Sequence, residues 1–124
     1  MTPPTTPTDL IGLDILGQHW DIVWAPATLT PDRLGHSDAE NQQIVLRANL
    51  RGQQALDTLI HEVTHSISSI TGVEMTELQV HTVGYAWAAV FSANPELLLF
   101  VAERLDEEAA RDYQRRTRKN KRTK

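Results

Sequence analysis

The run at residues 58–65 constrains this chain more than any other stretch. It contains the pattern His-Glu-x-x-His, formed by His61, Glu62 and His65. Side chains four positions apart lie on one face of a helix, so both imidazoles could reach the same metal ion. Glu62 would then lie beside that ion, where its carboxylate could act as a base. The pattern therefore predicts a metal-binding helix.

The sequence around the pattern favours a helix over residues 50–71, followed by Gly72, a common residue just past a helix end. Apolar residues recur there at steps of three and four, which predicts one apolar stripe opposite the two histidines. The stripe consists of Leu56, Ile60, Val63, Ile67 and Ile70. The histidine face carries Gln54, Thr58 and Ser68. We expect the stripe to pack inward and the histidines to line a cleft.

Upstream of this helix, the sequence predicts a small antiparallel sheet of about three strands. Apolar and polar residues alternate at 13–15 and at 20–24, on either side of a glycine break, which indicates a β-hairpin. The β-branched run at 43–47 predicts a third strand, either the open edge of the sheet or an inner strand. The polar segment 34–43 predicts a surface loop in which His36 is exposed to solvent.

Two further helices are predicted downstream. Thr76 and Gln79 have the spacing of a capping box, and the mostly apolar stretch at 77–93 follows. Asn94 and Pro95 begin a third helix. The predicted fold class is therefore α+β: a small N-terminal antiparallel sheet packed on a three-helix bundle that carries the His-Glu-x-x-His helix.

Composition narrows the kind of metal site. The chain has no cysteine, so a zinc ion (Zn²⁺) would be held by histidine and carboxylate, the ligand set of catalytic zinc sites. Such sites commonly use three protein ligands and a water molecule. One ligand must therefore be found beyond the two histidines.

The candidates for the third ligand are Glu74, Glu77 and His81. Glu77 and His81 are one helical turn apart, and Tyr85 extends the same polar row by another turn. We favour Glu77, because the short loop after Gly72 lets the second helix fold back beside the first. Glu74 is an alternative within the loop. His81 could bind the metal instead, or hydrogen-bond one of its ligands.

The segment 58–80 combines the His-Glu-x-x-His pattern with a twelve-residue step from His65 to Glu77. In this it resembles the gluzincin metallopeptidases in their smallest form. It is similar to phage-encoded minimal gluzincins and, more distantly, to the IrrE/ImmA-like peptidases. The resemblance covers residues 13–99. It implies a hairpin and an edge strand before the metal helix, a third zinc ligand in Glu77, and peptidase activity.

The function we expect is a zinc-dependent peptidase of narrow specificity that acts on a peptide or protein substrate. Glu62 would take a proton from the metal-activated water and pass it to the leaving amine. Tyr85 or His81 could stabilise the tetrahedral oxyanion.

Charge is distributed unevenly along the chain. All sixteen acidic residues precede Arg115, and seven of the twelve basic residues lie in the last ten positions. This basic tail, 115–124, could contact nucleic acid or an acidic partner, or fold back onto the acidic body. It supports an alternative function, that of a peptidase-like binding protein that keeps zinc for stability.

The remaining expectations concern organisation and location. Residues 1–8 should be disordered, 9–114 should form one metallopeptidase-like domain, and 115–124 the basic tail. No run reaches about eighteen apolar residues, and the N-terminus lacks the regions of a signal peptide. We therefore expect no membrane association and a cytoplasmic location.

Overall fold

The computed structural model describes residues 10–29 and 32–122, with side chains as far as residue 118. The segment 1–8, expected to be disordered, lies outside the described residues. Within them, four strands, a short 3-10 helix and three α-helices follow one another. They are β1 (Gly12–Ile15), β2 (Gln18–Ala25), the 3-10 helix Ala27–Leu29, β3 (Gly35–Asp38), β4 (Gln43–Arg47), α1 (Gly52–Thr71), α2 (Glu77–Ala93) and α3 (Pro95–Arg122). The predicted α+β class is confirmed.

The strands form one mixed sheet in the order β1, β2, β4, β3. β1 and β2 form the predicted hairpin, with Leu13 opposite Trp20. β2 and β4 run parallel, with Ile22 opposite Ile44, whereas β3 is antiparallel to β4. The sheet therefore has four strands instead of about three, and the prediction that it is antiparallel throughout is wrong. Parallel pairing needs a crossover connection of about a dozen residues or more, which 26–42 supply.

The segment predicted to be a surface loop contains the edge strand β3, and β4 is an inner strand. β3 is polar and has no apolar alternation, so no periodic signal predicts it. It is held by pairing with β4 and by packing against α1. Gly35 permits both contacts, because a Cβ atom there would lie 2.9 Å from the Val45 carbonyl oxygen and 3.1 Å from Cγ2 of Thr58. His36, expected to be exposed, is half-buried.

α1 packs on the sheet through a stripe that differs from the predicted one. The buried cluster consists of Ile15, Trp20, Ile22, Ile44, Leu46 and Leu50. The α1 residues that pack against it are Ala55, Leu59, Val63 and Ile70. Val63 and Ile70 belong to the predicted stripe, but its other three members lie outside this cluster. At about 100° per residue, the observed stripe is rotated by about 60° towards Glu62, because α1 packs against both the sheet and α2.

The junction between α1 and α2 follows the sequence prediction. Gly72 adopts a left-handed conformation, with φ 74°, and ends α1. The Thr76 amide donates a hydrogen bond to Oε1 of Gln79 at 2.9 Å, and the Gln79 amide donates one to Oγ1 of Thr76 at 3.1 Å. The predicted capping box is therefore confirmed, and α2 covers the predicted range.

α2 packs closely against α1 through its smallest residue. Val80, Gly84 and Ala88 follow one another at one-turn intervals and are all buried. A Cβ atom on Gly84 would lie 3.2 Å from both Cα and the backbone nitrogen of His61. Glycine at this position therefore sets the distance between the two helices at the His-Glu-x-x-His motif.

The chain divides into two compact units, Met1–Ala89 and Val90–Lys124. The second unit contains α3, one continuous helix that includes residues 115–122 of the predicted basic tail. Among the described residues, no single helix has the length and hydropathy needed to cross a membrane. α2 and α3 meet that test only when they are counted together across the break between them.

Candidate metal centre

Three side chains of the first unit converge on one point. His61 and His65 lie one turn apart on α1, with their ring centroids 4.9 Å apart. Oε1 of Glu77 lies 2.9 Å from Nε2 of His61, and Oε2 of Glu77 lies 3.1 Å from Nε2 of His65. One ligand atom from each residue lies within 4.8 Å of the other two, so the three could hold one metal ion.

The local sequence explains how Glu77 reaches residues twelve and sixteen positions earlier. Gly72 ends α1 and Thr76 caps α2, so Glu77 is the first residue of α2. A carboxylate in the first turn is also favoured by the helix dipole. Two turns further along α2, the close contact of Gly84 with His61 fixes the spacing of the helices.

The donor set suits a transition-metal ion. Imidazole nitrogen and carboxylate oxygen are ligands for several such ions. The atoms that would bind the ion are those that form the histidine–glutamate contacts, so an ion would replace these contacts without leaving a donor unpaired. The Glu77 side chain is 73% exposed, which leaves this side of the group open to solvent.

The neighbouring histidines favour the deprotonated form of Glu77, which is the form that binds a metal ion. Burial acts to raise the pKa of its carboxyl group, but the nearby His65 and His61 side chains outweigh this effect. The pKa of Glu77 therefore lies below its ordinary value. The carboxylate remains negatively charged, as metal binding requires.

Glu62 occupies a different environment beside the same group. Its side chain is only 5% exposed. Burial raises the pKa of its carboxyl group above the ordinary value, although His61, His65 and a hydrogen bond from Ser37 act in the opposite direction. Oγ of Ser37 lies 2.8 Å from the Glu62 backbone oxygen and 3.3 Å from its Oε1, and can donate its single proton to either. Ser37 thus links the edge strand β3 to the candidate base.

We call His61, His65 and Glu77 the ligand group. Two cavities adjoin it, with volumes of about 500 and 290 Å³. The residues that line both are Arg33, Gly35, His61, Glu62 and Glu77. The larger cavity is also lined by Ser37 and His36 of β3. A substrate in it would therefore contact the edge strand, the ligand group and the buried carboxylate together.

The other predicted site residues differ in how close they lie to the two histidines. Of the alternatives for the third ligand, Glu77 is the residue whose carboxylate contacts both histidines, and Glu74 lies in the loop outside the ligand group. His81 lines the smaller cavity, and its ring centroid lies 6.2 Å from that of His61. Tyr85 is 58% exposed and lines neither of these two cavities.

Sequence reasoning missed the site residues that lie in the 34–43 segment, and it missed Arg33, which directly precedes that segment. Ser37 bonds to Glu62, and Arg33 lines both cavities. Nδ1 of the half-buried His36 is itself buried and has no hydrogen-bond partner in the described part of the chain. The one local signal was Gly35, a residue that permits close approach of the backbone to its neighbours.

The chain matches no protein-family model, no curated protein and no solved structure. The geometry of the site is therefore the basis on which a function can be proposed.

Proposed function

We propose that this chain is a zinc-dependent peptidase of narrow specificity, with Glu62 as its general base. The observation that supports the proposal is the convergence of His61, His65 and Glu77 beside the buried Glu62 carboxylate. A set of three metal ligands beside a desolvated carboxylate is the arrangement that hydrolysis by metal-activated water requires.

Zinc is the proposed ion because two histidines and a glutamate, without thiolates, form the ligand set of catalytic zinc sites. His61, His65 and Glu77 would hold it. When bound, zinc would supply Lewis acidity, which polarises a carbonyl and lowers the pKa of water towards neutrality.

Glu62 would move the proton. The raised pKa of its carboxyl group brings it nearer to neutral pH, where a base can both accept a proton and release it. In the proposed reaction, Glu62 accepts a proton from the attacking water and then gives it to the nitrogen of the leaving amine. Ser37 would hold the Glu62 carboxylate in place.

The developing oxyanion would need stabilisation by a hydrogen-bond donor in addition to the Lewis acidity of the metal. We propose His81 for this role before Tyr85, since His81 lines a cavity that His61, Glu62 and Glu77 also line. The side chain of Tyr85 is exposed and lines neither cavity.

A peptide substrate is proposed because of the edge strand. β3 is the last strand in the order of the described sheet, and its residues line the larger cavity. An extended peptide can add to such an edge through main-chain hydrogen bonds. Since β3 has only four residues, these bonds are few, and side-chain contacts would have to select the substrate.

Metal analysis and three variants test this function. The wild-type protein should contain near-stoichiometric zinc and cleave members of a degenerate fluorogenic peptide library. Glu62→Gln should retain zinc but lose about a hundredfold or more in cleavage rate. His61→Ala should lose both, whereas Glu74→Gln, in the loop, should lose neither. Full cleavage by Glu62→Gln would contradict the proposed base, and zinc-free wild-type protein would contradict the site.

The charge of α3 favours a second candidate, a peptidase-like binding protein that contacts nucleic acid or an acidic partner. The described basic side chains near the end of this helix are Arg111, Arg115, Arg116 and Arg118. Binding of this kind should weaken steeply with salt and disappear on truncation before Arg115, while Glu62→Gln should leave it unchanged.

A further inference from the structure

Helix α3 carries an exposed apolar stripe. The α3 stripe consists of Leu98, Val101, Ala102, Leu105, Ala109 and Tyr113. These residues recur at helical spacing and lie on one face over about four turns. Its four large side chains are between 43% and 73% exposed. A continuous apolar face of this length indicates an interaction surface.

Charge is segregated along the same helix. Residues 95–108 contain five acidic side chains and one basic, whereas residues 109–122 contain one acidic and seven basic. Pairs within the helix, such as Arg104 with Glu107 at 3.0 Å, neutralise only part of this charge. Two such helices placed side by side in parallel would oppose like charges. In antiparallel orientation they would oppose unlike charges.

We propose that α3 associates with α3 of a second copy of this chain in antiparallel orientation. The part of the α3 stripe from Leu105 to Tyr113 supplies the apolar contact, and the charge segregation selects the orientation. An overlap centred near Ala109 places Leu105 of each copy beside Tyr113 of the other. It also places the acidic stretch 103–108 opposite residues 110–115, which contain Arg111, Arg115 and one acidic residue, Asp112. Alanine at the centre permits close approach of the two helices.

A membrane surface is a less suitable occupant of the α3 stripe. Helices that lie on anionic lipid carry lysine and arginine along their polar face. In α3, Asp106 and Glu108 adjoin Leu105, so the stripe would bring negative charge towards the lipid. The basic residues cluster at 111–122, beyond Leu98, Val101 and Leu105.

Sedimentation of the full chain across a dilution series tests the association. The wild-type chain should form a dimer that dissociates on dilution, and salt should weaken it. Leu105→Glu should weaken dimerisation by at least roughly tenfold. Gln114→Glu, which places the same side chain on the opposite face of α3, should dimerise as the wild type does. Circular dichroism of both variants checks that the helix remains formed.

The orientation can be read from single-cysteine variants, because the chain has no cysteine of its own. Ala109→Cys should form a disulfide-linked dimer on mild oxidation, and Gln114→Cys should not. Cross-linking by Leu98→Cys as well as by Ala109→Cys would indicate an in-register parallel pair and overturn the orientation. A monomer at every concentration, or a Leu105→Glu variant that dimerises normally, would overturn the association. So would a monomer that binds phosphatidylserine vesicles through the stripe.

Discussion

Replacement of Gly84 by alanine would test whether the α1–α2 spacing controls the metal centre. The added Cβ atom would lie 3.2 Å from Cα and the backbone nitrogen of His61 and 3.4 Å from its Cβ. Ordinary carbon contacts lie at about 3.5–4.0 Å, so the helices would have to separate by a few tenths of an ångström. The contacts involve backbone atoms, which cannot rotate away.

The expected magnitude follows from two opposing effects. Overpacking of a close contact costs about 1–3 kcal/mol, whereas replacement of a mid-helix glycine by alanine contributes about 1 kcal/mol of stability. The metal-free variant should therefore range from about equal stability to about 2 kcal/mol less. With an ion bound, Glu77 and both histidines would hold the same metal, so α2 could not move freely away from α1. We expect zinc affinity to fall by roughly tenfold, which corresponds to about 1.4 kcal/mol of strain.

Denaturant unfolding of the metal-free protein and a zinc competition titration measure the two quantities. Ala86→Gly is a matched control, since Ala86 is exposed on the same helix two positions away. It should cost about 1 kcal/mol of helix stability and leave zinc affinity unchanged. If Gly84→Ala gained the full helix contribution of about 1 kcal/mol and bound zinc as the wild type does, the spacing of α1 and α2 would not control the metal centre.

Three further changes have defined outcomes. Glu77→Gln removes an anionic ligand and should weaken zinc binding at least roughly tenfold in a competition titration, whereas Glu74→Gln should not. Glu62→Gln should raise the unfolding free energy of the metal-free protein at neutral pH. Burial raises the pKa of Glu62 in the folded state, so its unfavourable ionisation accumulates as pH rises from the unfolded to the folded pKa. Gly72→Ala places a side chain at φ 74° and should destabilise by about 1 kcal/mol in thermal unfolding.

Each of these has a contrary result. Equal zinc affinity in Glu77→Gln and Glu74→Gln would remove Glu77 from the ligand group. A stability difference between Glu62→Gln and wild type that persisted unchanged at acid pH would show that ionisation is not its cause. No loss of stability in Gly72→Ala would mean that the end of α1 tolerates a different backbone conformation.

The helical half of the fold could be predicted because its determinants are local. Thr76 and Gln79 specify the start of α2 by bonds to each other's backbone, and Gly72 specifies the end of α1. The parallel pairing of β2 with β4 joins residues 22 positions apart in the chain. The alternation of a short segment does not reveal this pairing, and it does not reveal β3, which is polar. The core-facing stripe of α1 was displaced because two neighbours bury that helix.

The site also contains residues that could be predicted from the sequence and residues that could not. His61 and His65 follow from four-residue spacing, and Glu77 follows from a short loop between two predictable helices. Ser37 and Arg33 come from a polar segment without a periodic pattern. Their approach to the site requires the edge strand to be paired with β4.

The Ser37–Glu62 hydrogen bond has a consequence for the order of folding. It joins positions 25 apart and depends on the pairing of β3 with β4, whereas His61 and Glu77 are only 16 apart on two adjoining helices. Contacts that close shorter loops form more readily. We therefore expect the helical pair to acquire metal affinity before Glu62 is enclosed. In the proposed function, metal capture would precede catalytic competence, and a chain halted between the two would carry its ion while the Glu62 carboxylate is still exposed to water.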